Sequence, residues 1–392
     1  MIRSTTAFTY ELDDPALAVK EIITQLKNFE LMQNTIGIVL CDTEFINTAI
    51  YKEIARALPF PIVGETTMNQ AVPGQVGTFL LTLMVLTADD VTFSAGITEE
   101  IQSGGEALTP LTEAYYEAAA KLPTPPKLIL CFPPYFHFNA GDIYVEAFEK
   151  LCPGVPIFGS PAIDDSLSAF DNCSVIYNDT DTKVKMTFVL ISGNVHPRFE
   201  VLTLTEDSRL PFSGEITKST KNIVEEINGI PTGKYLEECG LIENREFNGG
   251  LVFVPFMVDL KKKEDYDGVV IVRSVVRFDE NRNGVFQGNM YQHSVFTLAR
   301  PTGSHILPAT KEIIRRIENM PDANAVLIFA CALRRMALGS QALAEPQMIN
   351  ESLSGKVPFL FGDAGGEICP TSYQEGKLSN RFHNFSIVAC IL

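Results

Sequence analysis

The sequence contains no Cys-x-x-Cys, no Walker loop, no nucleophile elbow and no zincin helix. No two of its eight cysteines lie closer than 21 positions, which excludes a zinc ribbon and a thioredoxin-type redox pair. Free thiols acting as small buried hydrophobes suit a reducing compartment. The five histidines, His137, His196, His293, His305 and His383, are scattered, and no metal or cofactor is expected. Positive charge is scarce. The chain of 392 residues has 31 Lys and Arg against 48 Asp and Glu, a net charge of −17. That balance repels phosphate backbones and anionic lipid, and argues against nucleic-acid or membrane-surface partners. Long apolar runs are also missing. The longest, Phe79 to Leu86, Leu251 to Val258 and Ala325 to Leu333, fall far short of the ~20 residues of a membrane span. Polar residues and Pro15 follow Met1 to Thr6 without an apolar core, so the sequence reads as leaderless and cytoplasmic.

What is present is a pattern that occurs three times. Ile36 to Cys41 is an apolar run ending in cysteine, followed by a helix-like segment and by Pro59 to Gly64. Lys127 to Cys131 leads in the same way to Val155–Gly159, and Ala325 to Cys331 to Val357–Gly362. The runs are rich in Val, Ile and Leu without alternation, as strands buried on both faces are. Between them, helical spacing covers Glu44 to Leu58, Tyr144 to Leu151 and Leu343 to Leu353. Further helices are expected at Pro15–Phe29, Glu113–Leu122 and Pro308–Met320. Strand, helix and strand in about 30 residues make a βαβ crossover.

Hairpins are expected after the glycines, at Phe79–Ala95 around Asp89-Asp90 and at Lys185–Leu204 around Gly193-Asn194, with a last strand at Phe385–Leu392. The fold class is therefore α/β, with mixed sheets built from repeated strand–helix–strand units and extended by antiparallel hairpins. Two domains are expected, 1–212 with two units and 213–392 with the third. In the second, Leu251–Val258, Val269–Phe278 and Ser294–Leu298 add strands, and Lys261 to Gly268 reads as a solvated loop. Asp279-Glu280-Asn281-Arg282-Asn283-Gly284 has the first half of a calcium loop. Met290 stands where the bidentate Glu belongs, so a hairpin turn is the better reading.

Several blocks resemble the FIST family (F-box and intracellular signal transduction). Val63-Gly64-Glu65-Thr66-Thr67 is similar to its Gly-x-Ser/Thr-Thr turn, and Phe158 to Asp165 to its Gly-Gly-x-Ala-x-Asp-Asp stretch. Ile227 to Pro231 with Tyr235-Leu236 resembles the opening of the C-terminal domain. Phe329 to Arg335, Phe361 to Ile368 and Phe382 to Ser386 resemble its late blocks. The resemblance implies an N-terminal and a C-terminal FIST domain in a sensory module for small molecules such as amino acids, without catalysis.

The residues themselves nominate a site. Ligands of open α/β sheets bind at the C-terminal ends of parallel strands, where Gly64, Gly159 and Gly362 stand, with Thr66, Thr67, Asp164 and Asp165 nearby. These glycines serve equally as ordinary turns. Gly362, Asp363, Gly365, Gly366 and Glu367 combine three glycines with two carboxylates, which suits a ligand ammonium. Arg334 and Arg335, just past a buried strand, suit a carboxylate or phosphate, or else pair with Glu345 or Glu351. Asn380, His383 and Asn384 complete the expected pocket. Cys331 and His383 are the only cysteine and histidine worth testing as nucleophile and base, and burial of the thiol is the favoured reading. The leading function is a small-ligand sensor that signals to a partner protein. The rivals are a thiol-dependent hydrolase or transferase and a ligand-free assembly scaffold.

Overall fold

The computed structural model describes residues 2–136, 139–165, 172–243, 253–259, 270–372 and 378–392. The expected loop Lys261–Gly268, His137, and Leu251 and Val252 of the expected strand lie outside them.

The first stretch runs β1 (Arg3–Thr9), α1 (Pro15–Leu26), β2 (Asn34–Cys41), α2 (Thr43–Asn47), α3 (Ile50–Ala57), β3 (Ile62–Thr66), β4 (Gln70–Val72), β5 (Gln75–Gly77), β6 (Leu81–Ala88) and β7 (Val91–Ile97). The Asp14 carboxylate accepts the Ala16 and Leu17 N–H groups and so starts α1, with Pro15 in its first turn. The single helix expected over 44–58 is two. Ala49, at φ 57°, takes the left-handed conformation and breaks it.

The second stretch repeats the order with α4 (Leu108–Ala119), β8 (Leu128–Phe132), α5 (Asp142–Leu151), β9 (Ile157–Gly159), β10 (Val175–Tyr177), β11 (Thr180–Thr182), β12 (Thr187–Gly193) and β13 (Arg198–Leu202). An inserted segment follows: β14 (Arg209–Thr220), β15 (Ile223–Ile227), β16 (Ile230–Pro231), α6 (Thr232–Glu238), β17 (Val254–Asp259), β18 (Val270–Phe278), β19 (Gly284–Phe286) and β20 (Val295–Ala299). The third stretch is α7 (Gly303–Glu318), β21 (Val326–Cys331), α8 (Ala332–Leu338), α9 (Ala344–Leu353), β22 (Phe359–Ala364), β23 (Glu367–Ser372), β24 (Leu378–His383) and β25 (Ile387–Ile391). The sequence boundary at 212 falls inside β14.

Three six-stranded sheets share one order: β1-β6-β2-β3-β10-β11, β7-β12-β8-β9-β23-β24 and β13-β25-β21-β22-β4-β5. In each, an edge strand and an antiparallel neighbour flank a parallel pair, and a hairpin from elsewhere in the chain closes the row. The hairpin after β3 completes the sheet of β22, the one after β9 completes that of β3, and the one after β22 completes that of β9. The exchange is cyclic. It corrects two expectations: β6 and β7 form no hairpin across Asp89-Asp90, nor β12 and β13 across Gly193-Asn194, because each pair parts into different sheets. The remaining strands form a seven-stranded antiparallel sheet, β14-β20-β17-β18-β19-β15-β16, where Asp279 to Asn283 makes the expected turn between β18 and β19.

The sheets' apolar runs are explained by burial on both faces. Ile36, Ile38 and Leu40 of β2, Leu128, Leu130 and Phe132 of β8, and Leu327 and Phe329 of β21 meet in one central core. Val39 and Cys41 of β2 face Ala18, Ile22 and Ile54 of the helices, and Ile129 and Cys131 of β8 face Leu111 and Phe148. Each fully buried Leu, Ile or Phe contributes roughly 1.5–3 kcal/mol. The seven-stranded sheet has its own aromatic core, in which the rings of Phe256 and Phe296 lie 4.4 Å apart. Buried Arg273 of β18 ties it to the three-sheet body: its guanidinium donates to the Phe382 carbonyl at 2.8 Å and the Asp142 carboxylate at 3.3 Å.

Candidate functional site

The parallel pairs bring the three glycine turns to one pole, but their packing answers to the fold. Gly64 lies opposite Val39 and Gly159 opposite Cys131. A Cβ there would sit 1.7 Å from the Val39 carbonyl oxygen and 1.8 Å from that of Cys131, so only glycine lets the strands approach. The loops that follow are tied to one another. Gly365 N–H donates to the Pro161 carbonyl at 2.9 Å, Ile163 N–H to Thr66 at 3.0 Å, and Asp363 N–H to Asn69 at 3.0 Å. The Thr66 hydroxyl accepts Ser174 N–H, and Thr67 accepts the Gln70 amide. Asp164 accepts Asn172 N–H. Gly366, at φ 117°, packs under the Phe382 ring.

The charged residues at this pole are consumed by the same network. Arg334 is fully buried. Its guanidinium donates to Glu345 at 2.6 and 3.2 Å, to the Ile306 and Phe385 carbonyls at 3.1 Å and to the Thr310 hydroxyl at 3.2 Å. The pairing with Glu345 therefore exists, though buried, and Arg334 is enclosed by protein groups on all three of its nitrogens. Arg335 binds Asp165 at 3.0 Å and approaches Asp363 at 4.0 Å. Asp363 accepts the Asn69 amide at 2.6 Å, and burial pushes its carboxyl well above the usual range. Buried Glu65, held by the Ser160 hydroxyl, is raised by desolvation too. Glu367 is fully buried; desolvation raises its carboxyl, Arg334 partly offsets this, and one oxygen has no partner. Asn380 is a brace, accepting Ile157 N–H and donating to the Val155 carbonyl, both at 2.8 Å.

Of the expected pocket, Cys331, Gly365 and Asn384 line a common cavity among the described residues, with Tyr135, Ile163, Gln287 and others. Its volume is about 20 Å³, room for one water molecule. Both polar atoms of the Asn384 amide are buried in it without a partner. Arg334, Arg335, Gly362, Asp363, Gly366, Glu367 and Asn380 do not line it. The nucleophile–base pair is not formed. Burial and Glu367 raise the Cys331 thiol, which keeps it protonated. His383 Nε2 donates to the Cys369 carbonyl at 2.9 Å, and burial lowers its pKa to about 3. All eight cysteines are unbonded to one another.

His383 borders a different cavity, of about 250 Å³, on the other side of the 383–386 turn. Phe199, Glu200, Val201 and Thr203 of the β13 segment form one wall, Val270, Ile271 and Val272 of β18 another, and Arg316 of α7, Thr371 and Ser386 complete it. Arg316 donates to Glu200 at 2.7 Å through Nη1 and to Glu312 at 2.9 Å through Nε. Arg381 donates to the Thr371 hydroxyl at 3.2 Å. The Thr203 hydroxyl is buried without a partner. This cavity thus joins opposite charges, hydroxyl groups and an apolar wall. Sequence reasoning missed Glu200, Thr203 and Arg316. The Glu312/Arg316 spacing marks a helix ion pair, but nothing in the sequence links Glu200 to an arginine 116 residues away.

Residues 35–230 match the FIST N domain and residues 233–370 the FIST C domain. No curated protein matches the chain. Among solved structures, one described as "Cyanuric acid hydrolase: evolutionary innovation by structural concatenation" covers 100% of this chain and 99% of its own, at 9% identity and a TM-score of 0.31, a likeness that carries no argument. No helix among the described residues is long and apolar enough to cross a membrane. With both matches in order over most of its length, the chain belongs to the FIST family, whose domains are associated with signal transduction and small-ligand sensing.

Proposed function

We propose that the protein is a cytoplasmic sensor of a small polar metabolite, such as an amino acid, and that the metabolite occupies the cavity between β13, β18 and α7. The observation that carries this reading is the Arg316–Glu200 pair beside the unpartnered Thr203 hydroxyl in one concavity. Arg316 uses Nε and Nη1 on carboxylates, which leaves Nη2 for a ligand carboxylate. Glu200 uses one oxygen on Arg316, which leaves the other for an ammonium. A zwitterion satisfies both without leaving a buried charge unpaired, an error that costs several kcal/mol. A volume of about 250 Å³ suits a ligand smaller than those of the roughly 300–1,000 Å³ pockets of drug-sized molecules. The reading assigns no catalysis: Cys331 is a protonated thiol and His383 is turned to the Cys369 carbonyl. The signal passes to a partner protein.

Binding to the native state raises its melting temperature by mass action. Melting curves with each of the twenty amino acids at millimolar concentration should show a rise with at least one of them. Glu200→Gln and Thr203→Val should abolish that rise and leave the unliganded melting temperature close to that of the parent. A rise that survives in both variants places the ligand elsewhere, and no rise with any amino acid removes the proposed ligand class.

A further inference from the structure

The cavity of the proposed sensor is bordered by two open strand edges. β13 is the outer strand of its sheet and pairs only with β25. Ala325 and Leu392, one residue outside β21 and β25, exchange both of their backbone hydrogen bonds, at 3.2 and 2.9 Å. Bonding between antiparallel strands alternates, so Cys390 and Val388 also bond β21, while Ile391, Ala389 and Ile387 bond Arg198, Glu200 and Leu202 of β13. Phe199 and Val201 therefore point their N–H and C=O groups away from β25, and both residues line the cavity.

β18 supplies the second edge. The Ser274 carbonyl accepts Gln287 N–H at 3.2 Å on the side of β19, and its neighbour on β17 is Pro255, which has no N–H to offer. By the same alternation Val272 and Val270 point their peptide groups to the β19 side. β19 pairs with β18 only from Val275 to Phe278, so among the described residues no strand covers them. The Val272 carbonyl takes one long bond from the Arg273 guanidinium, at 3.4 Å. Val270 and Val272 line the cavity as well. Open edges are normally masked by a charge, a bulge or a covering element. Here both border the cavity that holds the Arg316–Glu200 pair and the unpartnered Thr203 hydroxyl. A free amino acid satisfies the charges and leaves the edges bare. At ~30 Å³ of liquid per water, a volume of about 250 Å³ is the space of about eight waters, which suits two residues and not a longer strand.

We propose that the ligand is a dipeptide, recognised through its peptide group. Its N–H and C=O pair with an open edge as an added strand does, its carboxylate sits on Arg316 and its ammonium on Glu200. This assignment rests on the sensor reading of the same cavity. Calorimetric titration of the full chain with alanine, alanylalanine and alanyl-lactate, an ester in which oxygen replaces the peptide N–H, tests it. Alanylalanine should bind about tenfold more tightly than alanine, since each net hydrogen bond contributes a factor of a few, and the ester should lose most of that gain. Glu200→Gln should weaken all three, and a melting temperature close to the parent's shows that the variant folds. Alanine as tight as alanylalanine, or an ester as tight as the peptide, overturns the dipeptide and leaves the sensor reading standing. Alanylalanine binding that survives both Glu200→Gln and Thr203→Val puts the ligand outside the cavity and overturns both. No binding by any of the three overturns the dipeptide, and the melting curves with the twenty amino acids then judge the sensor reading alone.

Discussion

Arg334 binds Glu345 at 2.6 Å and Arg316 binds Glu200 at 2.7 Å, two pairs of the same chemistry. Their surroundings separate them. Both members of the first pair are at most 1% exposed, and each nitrogen of the guanidinium donates to a carboxylate, a hydroxyl or a carbonyl. In the second, Arg316 is 39% and Glu200 17% exposed, and both border an open volume. An arginine at a strand-to-helix turn is therefore no site by itself. Its unused hydrogen-bonding directions decide, and those depend on neighbours supplied from far along the chain.

The sharpest way to break this comparison is to remove one arginine from each pair. Arg334→Met leaves the Glu345 carboxylate buried without its cation, and loss of a buried partner costs about 3–5 kcal/mol. Urea unfolding should show that loss. The double variant Arg334→Met/Glu345→Leu should recover most of it, because two apolar side chains leave no charge to compensate. A single variant as stable as the parent would mean that water reaches the pair, and the contrast with Arg316 would collapse.

The 383–386 turn, which separates the two cavities, supplies the next effect. His383 has a folded pKa of about 3, depressed by burial, against roughly 6.5 in an unfolded chain. Between those values the unfolded state binds the extra proton, so the contribution of His383 is fully present above pH 6.5 and is lost as the pH falls towards 3. By pH 4.5 the loss is about 2–3 kcal/mol. His383→Gln removes this titration, so the stability difference between parent and variant should shift by that amount between pH 7 and pH 4.5. Parallel curves would show that the ring is reached by solvent.

Glu367 has the opposite sign. Burial raises its folded pKa, so the folded state holds the proton more tightly than the unfolded one. Its contribution is fully present below roughly pH 4.3 and is lost as the pH rises from there. Glu367→Gln keeps an acceptor for the Ser386 N–H and removes the proton. The variant should gain stability relative to the parent between pH 5 and pH 8. A smaller gain than in Glu65→Gln is expected, since Arg334 favours the charged form of Glu367 while Glu65 has no neighbouring cation. Denaturant midpoints at the two pH values measure both.

These contrasts also mark where the sequence stops being informative. The strands ending at Cys41, Cys131 and Cys331, and their partners at Gly64, Gly159 and Gly362, are legible because burial on both faces writes a continuous apolar run. The Asn-Gly turn at Asn283-Gly284 is legible for a local reason, the side chain of Asp279 accepting the Asn281 and Asn283 N–H groups. The cyclic exchange of hairpins is not. Val91 follows Asp90 in sequence, yet pairs with Gly193 in another sheet, and no local propensity encodes that choice. Ala49 in the left-handed conformation is similarly invisible, since alanine prefers the right-handed helix. The site follows the same rule. Cys331, Gly365 and Asn384 do meet, because Cys331 ends β21, Gly365 follows its partner β22, and Asn384 precedes β25, the other neighbour of β21. What Arg334 and Glu367 bond to is not legible, because their partners, Glu345, Ile306 and Ser386, come from other elements.

The smallest effect expected is the most useful for telling a site from a strut. Arg316→Ala removes the partner of Glu200 and one of the partners of Glu312, but both carboxylates keep access to water, and Arg315 still holds Glu312 at 2.7 Å. Pairs so placed contribute about 0–1 kcal/mol, and salt screens part of that. The unfolding midpoint of Arg316→Ala should therefore lie close to the parent's, and closer still in high salt, while the amino-acid-induced rise in melting temperature disappears. The two readouts must part company for the cavity to be a binding site. A variant that loses several kcal/mol would show Arg316 to be a strut like Arg334. A variant that keeps both stability and the ligand response would move the ligand away from β13.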